Sequence, residues 1–514
     1  MTRIRATGRR WLFPALAGVA SVAFGLGVAE IVSAMFAAQA SPVVVVGSLL
    51  IDFAPPWAKD AAIALFGTAD KIALLVGIGI VLVIVAGAVG VLASRWPTVA
   101  RLVIVAGGIF GIAAAVTRAG SSMIDALPAL AAMIAAVVAL GALVRRAPVP
   151  RDDGKVLPAD AASRRQFLGW AGGATVIGAL AFAGGYALKA GARAVTAVRD
   201  TFTLPAAETS AAAVPAGAEL NIPGLAPVIT PNAEFYRIDT ALQVPNLDPA
   251  EWSLRIYGMV ENEIVLTWDE LIALPLEESY TTLMCVSNPV GGPLVGNAKW
   301  LGYPIRELLA RAKPTPDADM VLSRSSDGFT ASSPIEALTD DRNSILAIGM
   351  NDQPLPLEHG FPVRMVVPGL YGYVSATKWV TEMKVTTFAD DLAYWSTRGW
   401  SERGPVKVQS RIDVPNRQVS AGEVVVAGIA WHQHVGIAKV EVSVDGGSWR
   451  PAELATAISQ DTWVQWRYAW DAPAGTHTLA VRATSADGEV QTAEEANVAP
   501  DGATGHHTIT VAVS

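Results

Sequence analysis

The sequence has few of the residues that bind metals or form covalent cross-links. Its 514 residues include one Cys and six His. A lone Cys285 excludes an intrachain disulfide, and any zinc or iron–sulfur site built from several thiolates. Three roles remain for it: a small buried side chain, a reactive thiol, or one thiolate ligand to a metal held mainly by something else. No His precedes His359, which excludes a bis-His haem among the N-terminal segments. Charged residues make up only 16%, and the net charge of −8 comes with no basic stripe in the polar half. That excludes nucleic acid as an expected partner. Without disulfides the soluble domains must hold together by core burial, which their size allows.

Apolar residues are plentiful, at 52% of the chain, and the excess lies in the first 200 residues. Residues 11–36, 72–93, 99–117, 123–144 and 166–188 are each long enough to cross a bilayer core. Residues 1–200 are therefore expected to form an all-α membrane domain of five transmembrane helices. The run PVVVVGSLLIDFAPP between the first two is too short to span and reads as interfacial or re-entrant. Arg3, Arg5, Arg9 and Arg10 precede the first span, and Arg95 and Arg101 lie between the second and third. Arg145, Arg146, Arg151, Lys155, Arg164 and Arg165 lie between the fourth and fifth, whereas the alternate connections hold only Lys59, Lys71 and Arg118. This bias predicts a cytoplasmic N-terminus and an extracytoplasmic C-terminal half. Charges within the spans are scarce, which disfavours an ion pathway, and Glu30 near the outer end of its span reads as interfacial. Gly/Ala-rich faces suit close helix packing, so this half reads as an anchor. Ser163-Arg164-Arg165-Gln166-Phe167-Leu168 resembles a twin-arginine export signal, but is internal and has Gly169 where a Lys is usual.

Residues 201–404 read as an α+β domain with irregular loops. TFTLPAAETSAAAVPAGAEL reads as a linker. WSLRIYG and NEIVLTW alternate like strands, and Thr267 with Glu270 forms a capping box for a short helix. Cys285 sits in TTLMCVSNPVGGPLVGNAKWLG, whose Gly, Pro and Asn content predicts a shaped loop, where sites tend to be built.

Three stretches in this order resemble the sulfite oxidase family of molybdenum-cofactor enzymes. They are TPNAEFYR (230–237), Cys285 followed by GNAKWLG, and MNDQPLPLEHGFPVRMVVPGLYGYVSATKW (350–379). The resemblance runs from about residue 225 to the C-terminus. It implies molybdopterin and molybdenum as cofactors, with Cys285 as the metal ligand and catalytic thiolate; a soft metal suits a sulfur ligand. It further implies that Asn232, Phe235, Tyr236, Ser325, His359, Arg364, Ser375, Thr377 and Lys378 bind the cofactor, whose phosphate needs cations. Ala376 lies in the same loop, which is one residue longer than in sulfite oxidases. The implied reaction is two-electron oxygen-atom transfer, with molybdenum cycling between Mo(VI) and Mo(IV). Two departures bear on substrate: Pro231 stands where sulfite oxidases carry Arg, and Ile348-Gly349 replaces a Tyr-Glu pair. The pocket is thus less suited to a small oxyanion such as sulfite.

Residues 405–514 show short alternating strands with Gly/Pro turns, which predicts an all-β immunoglobulin-like sandwich. It resembles the family's C-terminal domain, which implies a homodimer. His432, His434, His506 and His507 lie here without a supporting carboxylate or Cys pattern for a metal. No haem motif or second cofactor signature is present, so electrons must pass to a separate carrier, a quinone or a cytochrome. The small-molecule partner is an oxygen-atom donor or acceptor. Two rival readings stay open: a non-enzymatic membrane-anchored surface binding protein with an Ig-like domain, and a thiol enzyme using Cys285 as nucleophile.

Overall fold

The computed structural model describes residues 3–37, 40–55, 58, 65, 70–118, 121–146, 159–189, 198–416 and 418–514. The chain forms two compact units, Met1–Ala194 with Ala241–Pro245, and Val195–Thr240 with Asn246–Ser514.

The first unit is helical: α1 (Arg3–Phe36), α2 (Pro42–Phe53), α3 (Asp70–Ala93), α4 (Pro97–Val116), α5 (Leu127–Val144) and α6 (Ala159–Lys189). Among the described residues, five stretches are long and apolar enough to cross a membrane: Trp11–Phe36, Lys71–Ala93, Pro97–Val116, Met123–Val144 and Arg165–Gly185. The short run between the first two is α2, with Pro42 in the first turn, where a missing N–H costs nothing. Helix α1 packs against α3, α5 and α6. Its small residues allow this: a Cβ on Gly18 would lie 2.0 Å from the Ala86 carbonyl, and one on Gly90 would lie 2.0 Å from that of Pro14. Backbones therefore touch where α1 and α3 cross, a close approach that small residues permit. Glu30 is buried in the bundle rather than turned outward, and the Ser41 hydroxyl donates to its carboxylate, as a buried acid needs. One end of the bundle gathers Trp and Arg: Arg95 lies over the Trp11 ring at 4.6 Å and Arg146 over Trp170 at 5.3 Å. Lys59, Arg151 and Lys155 lie outside the described residues, as do the side chains of Arg3, Arg5, Arg9, Arg10, Ser163 and Arg164.

Residues 201–220, expected as a linker, pack along the α+β domain. Thr209 bridges Glu277, Phe202 meets the Trp268 ring at 5.1 Å, and Ala218 is buried. Ala/Pro composition describes local stiffness but not the apolar side chains, Phe202 and Leu204 among them, that reach the core.

The strands of that domain are β1 (Ser253–Gly258), β2 (Ile264–Thr267), β3 (Glu277–Met284), β4 (Val295–Pro304), β5 (Met320–Ser325), β6 (Thr330–Pro334), β7 (Ile345–Met350), β8 (Gln353–Pro354), β9 (Arg364–Val366) and β10 (Val380–Thr386). One sheet runs β2-β1-β10-β5-β6, with β1 and β10 parallel. The other runs β3-β4-β7-β8, with β9 on β7. Helix α7 (Trp268–Ile272) starts at the expected capping box, Thr267 accepting from the Glu270 amide and Glu270 accepting back. Helix α8 (Ile305–Ala312) turns Ile305, Leu308, Leu309 and Ala312 inward.

The C-terminal region is a sandwich of two four-stranded sheets. It comprises β11 (Gln409–Val414), β12 (Gly422–Trp431), β13 (Ile437–Val444), β14 (Arg450–Pro451), β15 (Glu453–Leu454), β16 (Val464–Ala472), β17 (Gly475–Ser485) and β18 (His507–Val513). The sheets run β11-β12-β16-β15 and β14-β13-β17-β18. Val426, Trp466, Val442 and Val481 fill the space between them. The histidines here do not gather on a strand face. His432 and His434 follow the end of β12, and His434 turns with φ +67 to meet Asp461 at 3.2 Å. His507 Nδ1 accepts from the Ile412 amide, and His506 contacts the Gln491 carbonyl.

Candidate functional site

Strand β3 delivers Cys285 to the floor of a cavity with about 900 Å³ of empty space, counting its open mouth. The loop after it is pinned at its base. The Cys285 amide donates to the Leu294 carbonyl at 3.0 Å, and the buried Asn288 side chain accepts from the Leu294 amide at 2.8 Å. The SNPVGG composition thus makes a fixed loop rather than a loose one. Cys285 is buried, and burial pushes its thiol up, while hydrogen bonds from Ser287 oppose the rise.

Three basic side chains from one stretch line the same cavity. His359 ends a short turn, Arg364 opens β9, and an antiparallel bridge sets Arg364 beside Lys378. Arg364 is 5% exposed. Its Nη1 donates to the His359 carbonyl at 3.1 Å and its Nε to that of Met365 at 3.3 Å, with the Trp300 ring 5.1 Å away. No carboxylate pairs with it among the described residues. Burial lowers its pKa to about 10, so it stays charged at neutral pH. Lys378 donates to Asp239 at 2.7 Å, and burial brings it down to about 8 against the pull of that acid. His359 is lowered to about 4, first by burial and then by Arg364 and Lys378, so its imidazole is neutral. A neutral ring 3.3 Å from the Asn232 carbonyl places the proton on Nε2. Tyr236 is raised well above its ordinary value by burial and stays protonated.

Seven of the ten expected residues line this one cavity: Phe235, Tyr236, Cys285, Ser325, His359, Arg364 and Lys378. The side chains of Asn232, Ser375 and Thr377 do not, because each is committed elsewhere. Asn232 bonds to Asn351 and Met350, Ser375 to the Tyr371 carbonyl, and Thr377 to Ser323 at 2.7 Å. The last two are fully buried beneath the loop that holds Lys378, and Asn232 serves the site through its carbonyl on His359. Sequence reasoning missed Asp239, the acid on Lys378. It also missed the outer wall of Phe329, Tyr373, Trp395 and Trp400. Tyr373, Trp400 and Trp395 form a connected set, with Tyr373–Trp400 at 6.0 Å and Trp395–Trp400 at 5.9 Å, and Tyr394 links Trp395 to Phe329. The cluster AYWSTRGW was its only sequence signal.

Residues 241–395 match the oxidoreductase molybdopterin binding domain, and residues 412–481 match a bacterial Ig domain. The chain is 31% identical over 271 residues to mitochondrial sulfite oxidase of Rattus norvegicus, covering 44% of this chain and 49% of that protein. It is 32% identical over 251 residues to the protein-methionine-sulfoxide reductase catalytic subunit MsrP of Burkholderia mallei, covering 44% of this chain and 70% of that one. It is also 31% identical over 157 residues, 30% of this chain, to the uncharacterized oxidoreductase YuiH of Bacillus subtilis, and covers 76% of it. The chain belongs to the sulfite oxidase family of molybdopterin-dependent oxidoreductases. It spans about half the length of the sulfite oxidases it matches.

The cavity fits the cofactor of this family. Among the described residues this buried guanidinium has only carbonyl hydrogen-bond partners, and the phosphate of molybdopterin is an anion that would suit it. Lys378 adds a second cation, half balanced by Asp239. The single buried thiol offers the soft ligand that molybdenum prefers.

Proposed function

We propose that this family member is a membrane-anchored oxidoreductase that transfers an oxygen atom in a two-electron reaction on the outer face of the membrane. The observation that carries the reading is the pairing, within one cavity, of the chain's only thiol with a buried Arg364 that meets no acid among the described residues. Cys285 would hold the metal, and Arg364 and Lys378 would hold the anionic end of the pterin. When bound, molybdopterin supplies a two-electron redox centre. The protein's part is to orient that centre and to shape access to it. His359, held neutral with Nε2–H on the Asn232 carbonyl, would leave Nδ1 as an acceptor towards the cofactor. Tyr236, whose pKa burial raises, would offer an O–H donor in the same cavity as Cys285 and adds no charge at neutral pH.

The outer wall favours a substrate with an uncharged, apolar body. Phe329, Tyr373, Trp395 and Trp400 line the cavity, and Arg364 and Lys378 are its only Lys/Arg residues among those described. Both cations are assigned to the cofactor, and Pro231 offers no charge where a sulfite oxidase has Arg. Similarity to MsrP, named for protein methionine sulfoxide, runs the same way. Electrons would pass to or from a separate carrier, a quinone or a cytochrome. Membrane anchoring rests on the five apolar helices, and orientation rests on the Arg-rich end carrying Trp11, Arg95, Arg146 and Trp170.

The test is turnover. Full-length chain purified from cells that make molybdopterin is assayed with sulfite, and with alkyl and aryl sulfoxides, using one-electron dyes as carriers. Turnover of a sulfoxide, lost in Cys285→Ser, is expected. Molybdenum-loaded protein that turns over sulfite alone would overturn the substrate reading, and loaded protein inert to every substrate would overturn the reaction class.

A further inference from the structure

The Ig-like sandwich grips the strand that presents Cys285, and does so within three residues of the thiol. The Thr282 amide donates to the Asp461 carbonyl at 3.0 Å. The Trp463 amide donates to the Thr282 hydroxyl at 2.8 Å, and the Gln433 side chain donates to the Thr282 carbonyl at 3.1 Å. One residue before the cysteine, the Trp431 indole N–H donates to Met284 Sδ at 3.0 Å. Thr282, Met284, Trp431, Gln433 and Trp463 are all buried. Trp431 and Trp463 belong to the same apolar core as Met284 and Val286, so this core continues from the α+β domain into the sandwich.

This arrangement goes beyond packing two domains together. Strand β3 already has β4 along its other edge, in register from Glu277↔Gly302 to Met284↔Val295. The sandwich supplies a second set of hydrogen bonds on the end that matters for the site, and none of them touches the cavity. Met is a flexible side chain with three rotatable bonds, and the indole N–H adds a directional restraint to the core packing around Met284. A donor on sulfur is a weak bond, but Trp431 is rigid and fully buried, so its direction is fixed.

We infer that Trp431 of the Ig-like domain is a positioning residue for the Cys285 thiol, acting through its N–H bond to Met284. The inference rests on the proposal that Cys285 is the metal ligand for its effect on the loaded enzyme, but its effect on the free thiol is independent of that proposal. Trp431→Phe keeps an aromatic ring and removes the donor. Met284→Leu keeps the volume and removes the acceptor. Full-length native, single-variant and double-variant chains are prepared with and without cofactor. In the cofactor-free chains, alkylation of Cys285 by iodoacetamide is expected to accelerate about fivefold or more in each single variant, as a held, buried thiol becomes mobile. The double variant should be no faster than either single one. In the loaded chains, molybdenum content should stay at the native level, while the electron paramagnetic resonance g values of the half-reduced metal shift alike in both single variants. Unchanged alkylation rates with unchanged g values would overturn the inference, and so would effects that add in the double variant. If the native chain carries no molybdenum, the cofactor reading fails, and the alkylation series alone decides the positioning role. If Trp431→Phe does not fold, Met284→Leu carries the same test.

Discussion

Arg364→Met should separate what the cavity costs from what it holds. Burial brings the guanidinium from an ordinary 12.5 down to about 10, so the folded, cofactor-free chain disfavours the charge. At about 1.4 kcal/mol per pKa unit, that penalty is on the order of 3 kcal/mol. Arg is charged at neutral pH in both folded and unfolded chains, so folding bears the whole penalty. Met fills a similar volume and removes it, but forfeits the bonds to the His359 and Met365 carbonyls at 3.1 and 3.3 Å. Two lost bonds from a charged donor, at roughly 1.5 kcal/mol each, offset that gain. The cofactor-free variant should therefore unfold within about 1 kcal/mol of native. The loaded state should behave differently. Losing a charge-assisted contact to phosphate costs roughly 1.5–3 kcal/mol, about 10- to 100-fold in cofactor retention. Tryptophan-fluorescence unfolding of cofactor-free protein gives the first quantity, and pterin content after dilution and gel filtration gives the second. A variant that is severely destabilised without cofactor yet keeps native pterin would refute the reasoning, since Arg364 would then be a structural cation.

Acid should weaken the cofactor-free fold through His359. The unfolded chain takes up a proton below about 6.5, but the folded chain does so only near 4. Stability is full above pH 6.5 and falls as pH drops towards 4, by on the order of 3 kcal/mol, and His359→Gln should flatten that slope in pH-dependent unfolding. Gly291→Ala should destabilise the Cys285 loop by roughly 2–4 kcal/mol in thermal melts, because φ is +74 and a Cβ would lie 2.1 Å from the His507 ring. The His507 ring cannot easily yield, since its Nδ1 accepts from the Ile412 amide at 2.9 Å. In the helical unit, Gly90→Leu should disrupt the α1–α3 crossing and lower the yield of detergent-stable protein, whereas Gly79→Leu, with nothing within 4 Å of a Cβ, should not.

What the sequence reveals here follows from which forces are local. The five apolar helices and the capping box at Thr267 are legible because periodicity and caps act within a few residues. The basic trio is legible because His359, Arg364 and Lys378 come from one continuous stretch. Asp239 is not, being 139 residues from the Lys378 it pairs with. Neither is the commitment of Asn232 to the Asn351 turn, which depends on a contact 119 residues away. Residues 201–220 mislead for a related reason: their composition is that of a spacer, but the groove that receives Phe202 is made by Trp268, far along the chain. The hydrogen bonds from Trp431, Gln433 and Trp463 to β3 leave no local trace at all.

The most direct test of the central claim is the molybdenum-to-protein ratio of the full-length chain from molybdopterin-competent cells, native and Cys285→Ala, alongside fluorescence of the released, oxidised pterin. The account predicts near-equimolar molybdenum and pterin in the native chain. It also predicts a strong loss or an altered metal signal in Cys285→Ala, even where pterin stays on Arg364 and Lys378. Folded native protein that contains neither would contradict it and leave a surface-binding protein as the better reading.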